Sequence, residues 1–235
     1  MDGDAAWPLR VPQPAGGAAW EGRSMTEKTD FKKSLDAYRA KRNEFRLVDV
    51  PELQYLMVDG HGDPNSSPAF QDAIQALYPL AYKLKFASKR DLGRDYTVMP
   101  LEGLWWAADM ESFTTARDKS QWNWTLMIMV PEWIDAAMLG RARDQAAAGA
   151  AADDAVARLD GVRLETLAEG RCVQTLHVGS FDDEAGLLAA LHGGYLPEHG
   201  LTPRGRHHEI YLSDFRRTAP EKLRTILRQP VTDAD

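Results

Sequence analysis

Two stretches of the sequence repeat one pattern and set the expected architecture. They are FRLVDVPELQYLMVDGHGDP (residues 45–64) and VRLETLAEGRCVQTLHVGSFDDE (residues 162–184). Three pairs match at one constant offset: Arg46 with Arg163, Leu47 with Leu164, and Glu52 with Glu169. A two-residue insertion then aligns VDG of the first stretch with HVG of the second. The repeat indicates two copies of one structural unit.

Each stretch is followed by a helical segment and two strand segments in the same order. In the first half these are SPAFQDAIQALYPLAYKLKFASK (67–89), DYTVMPLEGLWWA (95–107) and WNWTLMIMVPEW (122–133). In the second half they are DEAGLLAALHGGYLPEHG (183–200), RHHEIYLSD (206–214) and LRTILRQPV (223–231). Helical spacing supports the first helix, although Pro79 is expected to bend or break it. An alternative for the C-terminus is a helix from Thr218, where TAPE fits a capping box.

The repeat predicts an α+β fold of duplicated β-α-β-β units, related by a pseudo-twofold axis. Such units form antiparallel sheets with helices on one face and leave a central cleft, a usual place for a ligand. We expect the halves at about 45–131 and 162–231, with a helical connection at about 132–160. Residues 1–24 are rich in Gly, Ala and Pro and are predicted to be a disordered lead-in to a domain over 25–235.

Bulk composition limits the possible functions. The formal net charge is −7 and the pI is near 5.4, which argues against nucleic-acid binding. No apolar run approaches the 18 residues of a membrane span. The single cysteine, Cys172, cannot form an intrachain disulfide and lacks metal-ligand spacing. The start of the chain does not resemble a signal peptide, so we expect a cytoplasmic location. Composition leaves the oligomeric state open.

The stretch HHEIYLSD (207–214) raises the question of Glu209. Strand alternation places His207, Glu209 and Tyr211 on one face. A carboxylate in an apolar cleft needs a cationic ligand, a tyrosine hydroxyl or a proton, whereas the plain alternative is a solvent-facing glutamate. In the alignment of the two halves Glu102 is equivalent to Glu209, and we expect the two to approach across the cleft.

The aromatic and histidine residues narrow the chemistry further. Trp105 and Trp106 are neighbours on one strand, so one is expected in the core and the other in the cleft; alternation favours Trp106, which shares the face of Glu102. His207 and His208 point apart and cannot chelate one metal, and no metal or cofactor motif is present. Acid/base chemistry by carboxylates is therefore the favoured reaction type, and we expect no cofactor.

The sequence resembles the GyrI-like small-molecule-binding family, which is related to the effector-binding domains of AraC-type and MerR-type regulators. The similarity covers about residues 25–231. It rests on DFKKSL, VDGHGDPNSSPAFQDAIQALYPLAY, YTVMPLEGLWW, EGRCVQTLHVGSFDDE and HHEIYLSDFRRTAPEKLRTILRQPV. The resemblance implies a fold of two β-α-β-β units around a ligand cleft.

The resemblance also implies site residues and a function. A glutamate that faces aromatic cations in related regulators corresponds to Glu209, and freestanding members include hydrolases of cyclopropane-bearing, DNA-alkylating compounds. We therefore expect Glu209, Glu102 and Tyr211 as catalytic residues. The expected ligand contacts are Glu209, Trp106, Trp105, Tyr96, Tyr55 and His207. Three functions stay open: sequestration of aromatic compounds, as a resistance protein or detached effector module; their hydrolysis; and an interaction with DNA gyrase.

Overall fold

The structure is a computed structural model that describes residues 27–108, 118–149 and 158–234. The predicted lead-in at 1–24 lies outside the described residues. Within these ranges no helix is long and apolar enough to cross a membrane.

Nine strands and several helices follow one another along the described chain. The strands are β1 (Arg46–Val50), β2 (Leu53–His61), β3 (Leu101–Trp106), β4 (Asn123–Val130), β5 (Arg163–Leu167), β6 (Gly170–Val178), β7 (Leu201–Pro203), β8 (His207–Tyr211) and β9 (Arg224–Asp233). The α-helices are α1 (Phe31–Ser34), α2 (Pro68–Asp91), α3 (Ala136–Ala147), α4 (Ala185–Ala190) and α5 (Leu196–Glu198). Between α4 and α5 lies a π-helical turn, Leu191–Tyr195. Short 3₁₀ turns span Asp36–Tyr38, Lys119–Gln121, Phe181–Glu184 and Pro220–Lys222.

All nine strands join one antiparallel sheet, which confirms the predicted fold class. The strand order is β1-β6-β9-β8-β3-β4-β2-β5, and β7 pairs with β9. The order is symmetric about the central β8–β3 pair. Each strand of the first half (β1, β2, β3 and β4) lies as far from one edge as its second-half counterpart (β5, β6, β8 and β9) lies from the other edge. The edge strands cross over, because β1 pairs with β6 and β5 pairs with β2. The duplication itself stays a prediction.

Helix α2 runs without a break through Pro79. A proline removes the hydrogen bond to the carbonyl four residues earlier, here that of Gln75. Both residues are exposed, so water can satisfy that carbonyl and the helix continues. At the C-terminus the predicted strand forms as β9, and the alternative helix is limited to the turn Pro220–Lys222.

The central strands β3 and β8 position the site because they pair in the middle of the sheet. Residues directly opposite each other in a ladder point to the same face. Gly103 lies opposite Glu209, and Trp105 lies opposite His207. Phe70 of α2 packs against Trp105, so α2 covers this face, which we call the front face. The opposite, back face carries Glu102 and its neighbours.

Candidate ligand-binding site

A cavity of about 410 Å³ lies on the front face above β3 and β8. Its floor consists of Trp105, His207, Glu209 and Tyr211. The N-terminal end of α2 with the loop before it forms one wall, and the segment Phe181–Leu188 contributes to the other. The volume is within the range of small-molecule sites.

Two groups of aromatic side chains face this cavity. Phe70, Trp105 and Trp122 form the first group, with ring centroids 6.1 Å apart for Phe70 and Trp105 and 5.8 Å apart for Trp105 and Trp122. The second group is Phe181, Tyr211 and Phe215, whose rings meet edge to face at 5.7–6.1 Å. Ring faces and edges on both sides suit a flat aromatic molecule.

Glu209 is held by a chain of hydrogen bonds in the floor. The Tyr211 hydroxyl donates to Glu209 Oε2 at 2.8 Å, and Trp105 Nε1 donates to Tyr211 Oη at 3.2 Å. Burial raises the pKa of Glu209 to about 7, although the hydrogen bond from Tyr211 opposes that rise. Glu209 therefore exchanges its proton near neutral pH, as a general base does.

Glu184 is a second carboxyl group in the same cavity. It is 5% exposed, and its Oε1 atom has no hydrogen-bond partner among the described residues. Burial, and then the charge of Glu209, raise the pKa of Glu184 well above its usual range. Two carboxyl groups in one cavity, of which only Glu209 accepts a hydrogen bond from a described residue that favours its ionised form, are suited to acid and base roles.

His207 and Lys119 are further polar groups of the lining, which also includes Asn65, Gln71 and Arg216. Burial lowers the pKa of His207 to about 3, so the ring is neutral, and Nε2 lies 3.7 Å from Glu209 Oε1. Lys119 Nζ lies 3.4 Å from Asp182 Oδ1 and 5.7 Å from the centre of the Trp122 ring. Lys119 thus places a positive charge in the wall.

The prediction that Glu102 and Glu209 approach each other is wrong. Glu102 lies opposite Ile210 in the ladder, one residue out of step with Glu209, so the two carboxylates point to opposite faces. On the back face Glu102 is fully buried, where it accepts a 2.6 Å hydrogen bond from the Tyr38 hydroxyl. Its other oxygen lies 2.9 Å from His208 Nε2.

Three predicted ligand contacts also lie outside the cavity. Trp106 shares the back face with Glu102, as alternation indicated, but that face is not the cleft; the Arg206 guanidinium lies 3.6 Å from its ring centre. Tyr55 is buried on the back face as well, opposite Met129 in the ladder. Tyr96 is in the core, edge-on to Trp133. Trp105, His207, Glu209 and Tyr211 are brought together in the floor.

Glu184 was missed because its stretch looks like an ordinary helix start. Ser180 and Asp183 form a capping box, which explains the run of acids without any site. The usable signal was spacing: Phe181 and Glu184 are three residues apart at a helical start and therefore share a side. An apolar residue on that side indicates that the glutamate is turned inward with it.

Gly103 keeps the floor open, which gives a first prediction. A Cβ at this position would lie 2.9 Å from Trp105 Nε1 and 3.1 Å from Tyr211 Oη, so Gly103→Ala should displace the groups that hold Glu209. We expect ligand affinity to fall about tenfold, since overpacking costs about 1–3 kcal/mol. The affinity is measured by tryptophan fluorescence titration, with 2-naphthol as a small aromatic probe ligand. Gly140→Ala, where a Cβ meets nothing within 4 Å, is the matched control. Equal affinity of both variants would show that this hydrogen-bond chain is not needed.

Fold and cavity together define the class: an α+β protein whose antiparallel sheet and helical walls enclose a ligand-sized site. The chain belongs to the GyrI-like small molecule binding domain family, whose model matches residues 43–232. A comparison with curated proteins gave no match.

Solved structures include similar chains from Listeria innocua. An uncharacterized conserved protein is 36% identical with a TM-score of 0.78, over 87% of this chain and 100% of that one. A chain described as a hydrolase is 34% identical with a TM-score of 0.74, again over 87% and 100%. EcmrR, solved in a complex with DNA, is 11% identical with a TM-score of 0.50, over 81% and 58%, which shows the fold alone.

Proposed function

We propose that the chain binds flat aromatic electrophiles in the front-face cavity and hydrolyses those that carry a strained cyclopropane ring. The observation that supports this most directly is the pair of buried carboxyl groups, Glu184 and Glu209, in an aromatic cavity. The likeness to a Listeria innocua hydrolase at 34% identity supports a hydrolytic activity. A protective role against such compounds would follow from either binding or turnover.

Hydrogen bonding distinguishes the two roles: Glu209 accepts a hydrogen bond from Tyr211 that favours its ionised form, whereas burial and the charge of Glu209 favour the neutral form of Glu184. Glu209, ionised above a pKa of about 7, aligns a water molecule and takes its proton. The water oxygen bonds to a cyclopropane carbon, the strained C–C bond breaks, and its electron pair moves through the conjugated system to the ligand's carbonyl oxygen. That oxygen takes the proton of Glu184. The net change is the addition of one water, and proton exchange with solvent restores both carboxyl groups.

Tyr211 acts on Glu209 in this scheme and not on the ligand. Its hydroxyl proton is directed at Glu209 Oε2, while its oxygen accepts from Trp105. Tyr211 therefore orients the carboxylate of Glu209, which is the base in this scheme. This replaces the expectation, drawn from the sequence, that Glu102 supplies the second carboxyl group.

Mass spectrometry of the small molecule tests the proposal. The purified chain is incubated with a cyclopropane-bearing DNA-alkylating compound in excess. A product heavier by one water, formed over many turnovers, is the expected result. Unchanged compound that co-elutes with the protein would restrict the function to sequestration. If the compound is neither hydrolysed nor co-eluted with the protein, the proposal is overturned.

The pH dependence of kcat/KM is a second prediction. The base form of Glu209 accumulates as pH rises through about 7, and the acid form of Glu184 is lost at higher pH. We therefore expect a bell-shaped profile whose lower limb lies near pH 7. A rate that is flat between about pH 5.5 and 8.5 would contradict the assignment.

A further inference from the structure

The wall segment Phe181–Ala190 is held to the fold much less firmly than the wall provided by α2. None of the six residues of α4 is buried, whereas α2 buries a full apolar side against the sheet. Segments with few buried contacts open at low free-energy cost. The wall is anchored just before its start, where His177 Nε2 lies 2.9 Å from the Ser180 carbonyl, and after its end, where Leu191 and Leu196 are 1% exposed.

The join between α4 and its anchor is a π-helical turn with two consecutive glycines. The turn spans Leu191–Tyr195 and contains Gly193 and Gly194. π-Turns inside helices often mark functional sites, and glycine adopts backbone angles that other residues resist. A Cβ at either glycine would meet no heavy atom within 4 Å, so packing does not require glycine here. Neither glycine has a positive φ, so the pair acts by making the turn less stiff than two alanines would.

Polar groups between the wall and the floor are incompletely satisfied. Glu184 Oε1 and both ring nitrogens of His207 are buried without a hydrogen-bond partner among the described residues. Such groups destabilise the arrangement they are found in. The Lys119–Asp182 ion pair connects the wall to the first half of the chain. Asp182 is 76% exposed, however, and exposed ion pairs are weak.

We propose that Phe181–Ala190 moves as a unit about the Leu191–Tyr195 turn and thereby sets which sizes of aromatic ligand the cavity accepts. Outward movement widens the space between the two aromatic groups, because Phe181 travels with the wall. Return of the wall brings Glu184 back over the bound ligand. The inference rests on the proposed binding function and adds the determinant of its size selectivity.

Two neutral aromatic probes of different size test the movement. The affinities of 2-naphthol and the larger 1-hydroxypyrene are measured by fluorescence for the native chain and for Gly193→Ala/Gly194→Ala. Alanine stiffens a helical turn relative to glycine, so the wider state becomes harder to reach. We expect the ratio of the 1-hydroxypyrene affinity to the 2-naphthol affinity to fall about tenfold.

Gly140→Ala is the matched control. It adds the same methyl group to a glycine of α3, outside the cavity lining and the wall, at a position where a Cβ also meets nothing within 4 Å. We expect the native affinity ratio in this variant. An unchanged ratio in the double variant, or an equal fall in the control, would overturn the moving wall while leaving the binding function intact. Failure of the native chain to bind either probe would instead overturn the binding function, and the wall proposal with it.

Discussion

Replacing Glu209 with glutamine is expected to lower the rate of hydrolysis by about 10²- to 10⁴-fold, the usual contribution of a positioned general base. Glutamine keeps the size of the side chain, and its amide oxygen still accepts the hydrogen bond that Tyr211 donates to Glu209 Oε2. It cannot take a proton from water. The affinity for the unreacted ligand should therefore change little, which separates a lost base from a damaged cavity.

Single-turnover mass spectrometry measures the rate, and fluorescence titration measures the affinity. Glu221→Gln is the control, because Glu221 is exposed in the turn Pro220–Lys222. Glu184→Gln provides the complementary variant: it should remove the loss of activity at high pH, since that limb reports the proton of Glu184. Native turnover by Glu209→Gln would rule out Glu209 as the base.

The fold was predictable because its signal is local. The two stretches at 45–64 and 162–184 repeat the same order of apolar and turn residues, and the segments after them repeat it again. The crossing of β1 to β6 and of β5 to β2 was not predictable. Each of these edge strands has five residues, and nothing in so short a segment specifies which distant strand it pairs with.

The site was half predictable for a related reason. Alternation within β8 correctly grouped His207, Glu209 and Tyr211, since faces within one strand follow from spacing alone. Comparing two strands requires the register, and an error of one residue exchanges the faces. The ladder places Gly103, not Glu102, opposite Glu209, so the same error assigned both Glu102 and Trp106 to the cleft.

Glu102 belongs to a buried polar network on the back face that joins distant parts of the chain. His208 lies between Glu102 and Glu169, with its nitrogens 2.9–3.0 Å from their oxygens. Arg228 Nη1 donates to Glu169 Oε2 at 2.7 Å, and its Nε donates to Gln174 Oε1 at 3.1 Å. The Ala37 carbonyl accepts from Arg228 Nη2 at 2.5 Å.

Charges in this network are matched, which sets its response to pH. Burial alone would raise the pKa of Glu169, but His208 and Arg228 lower it to about 2. A depressed pKa contributes stability above the unfolded value of the glutamate, and that contribution is lost as pH falls toward 2. Burial alone would lower the pKa of His208, but Glu169 and Glu102 raise it. The stability that His208 contributes is fully present below the pKa of a histidine in the unfolded chain, and it is lost as pH rises through the raised pKa of the folded state.

Arg228→Met should therefore cost about 3–5 kcal/mol of the free energy of unfolding, because it leaves a buried carboxylate without its cation. Urea denaturation followed by circular dichroism measures the change. Arg171→Met is the matched control, since Arg171 contacts Asp233 at 2.6 Å but the two side chains are 42% and 79% exposed. We expect a loss below about 1 kcal/mol for this exposed pair.

A double variant separates the cost of an unpaired charge from the loss of packing. In Arg228→Met/Glu169→Gln the buried negative charge is gone, and glutamine can still hydrogen-bond His208 Nδ1, which lies 3.0 Å from Glu169 Oε1. If charge imbalance dominates, this variant should be more stable than Arg228→Met alone despite carrying two substitutions. If it is less stable, Arg228 contributes mainly through its hydrogen bonds to Gln174 and Ala37. Hydrogen bonds then stabilise the back of the sheet more than charge pairing does, because those bonds connect β9 to β6 and to the turn Asp36–Tyr38 beneath the strands that carry the site.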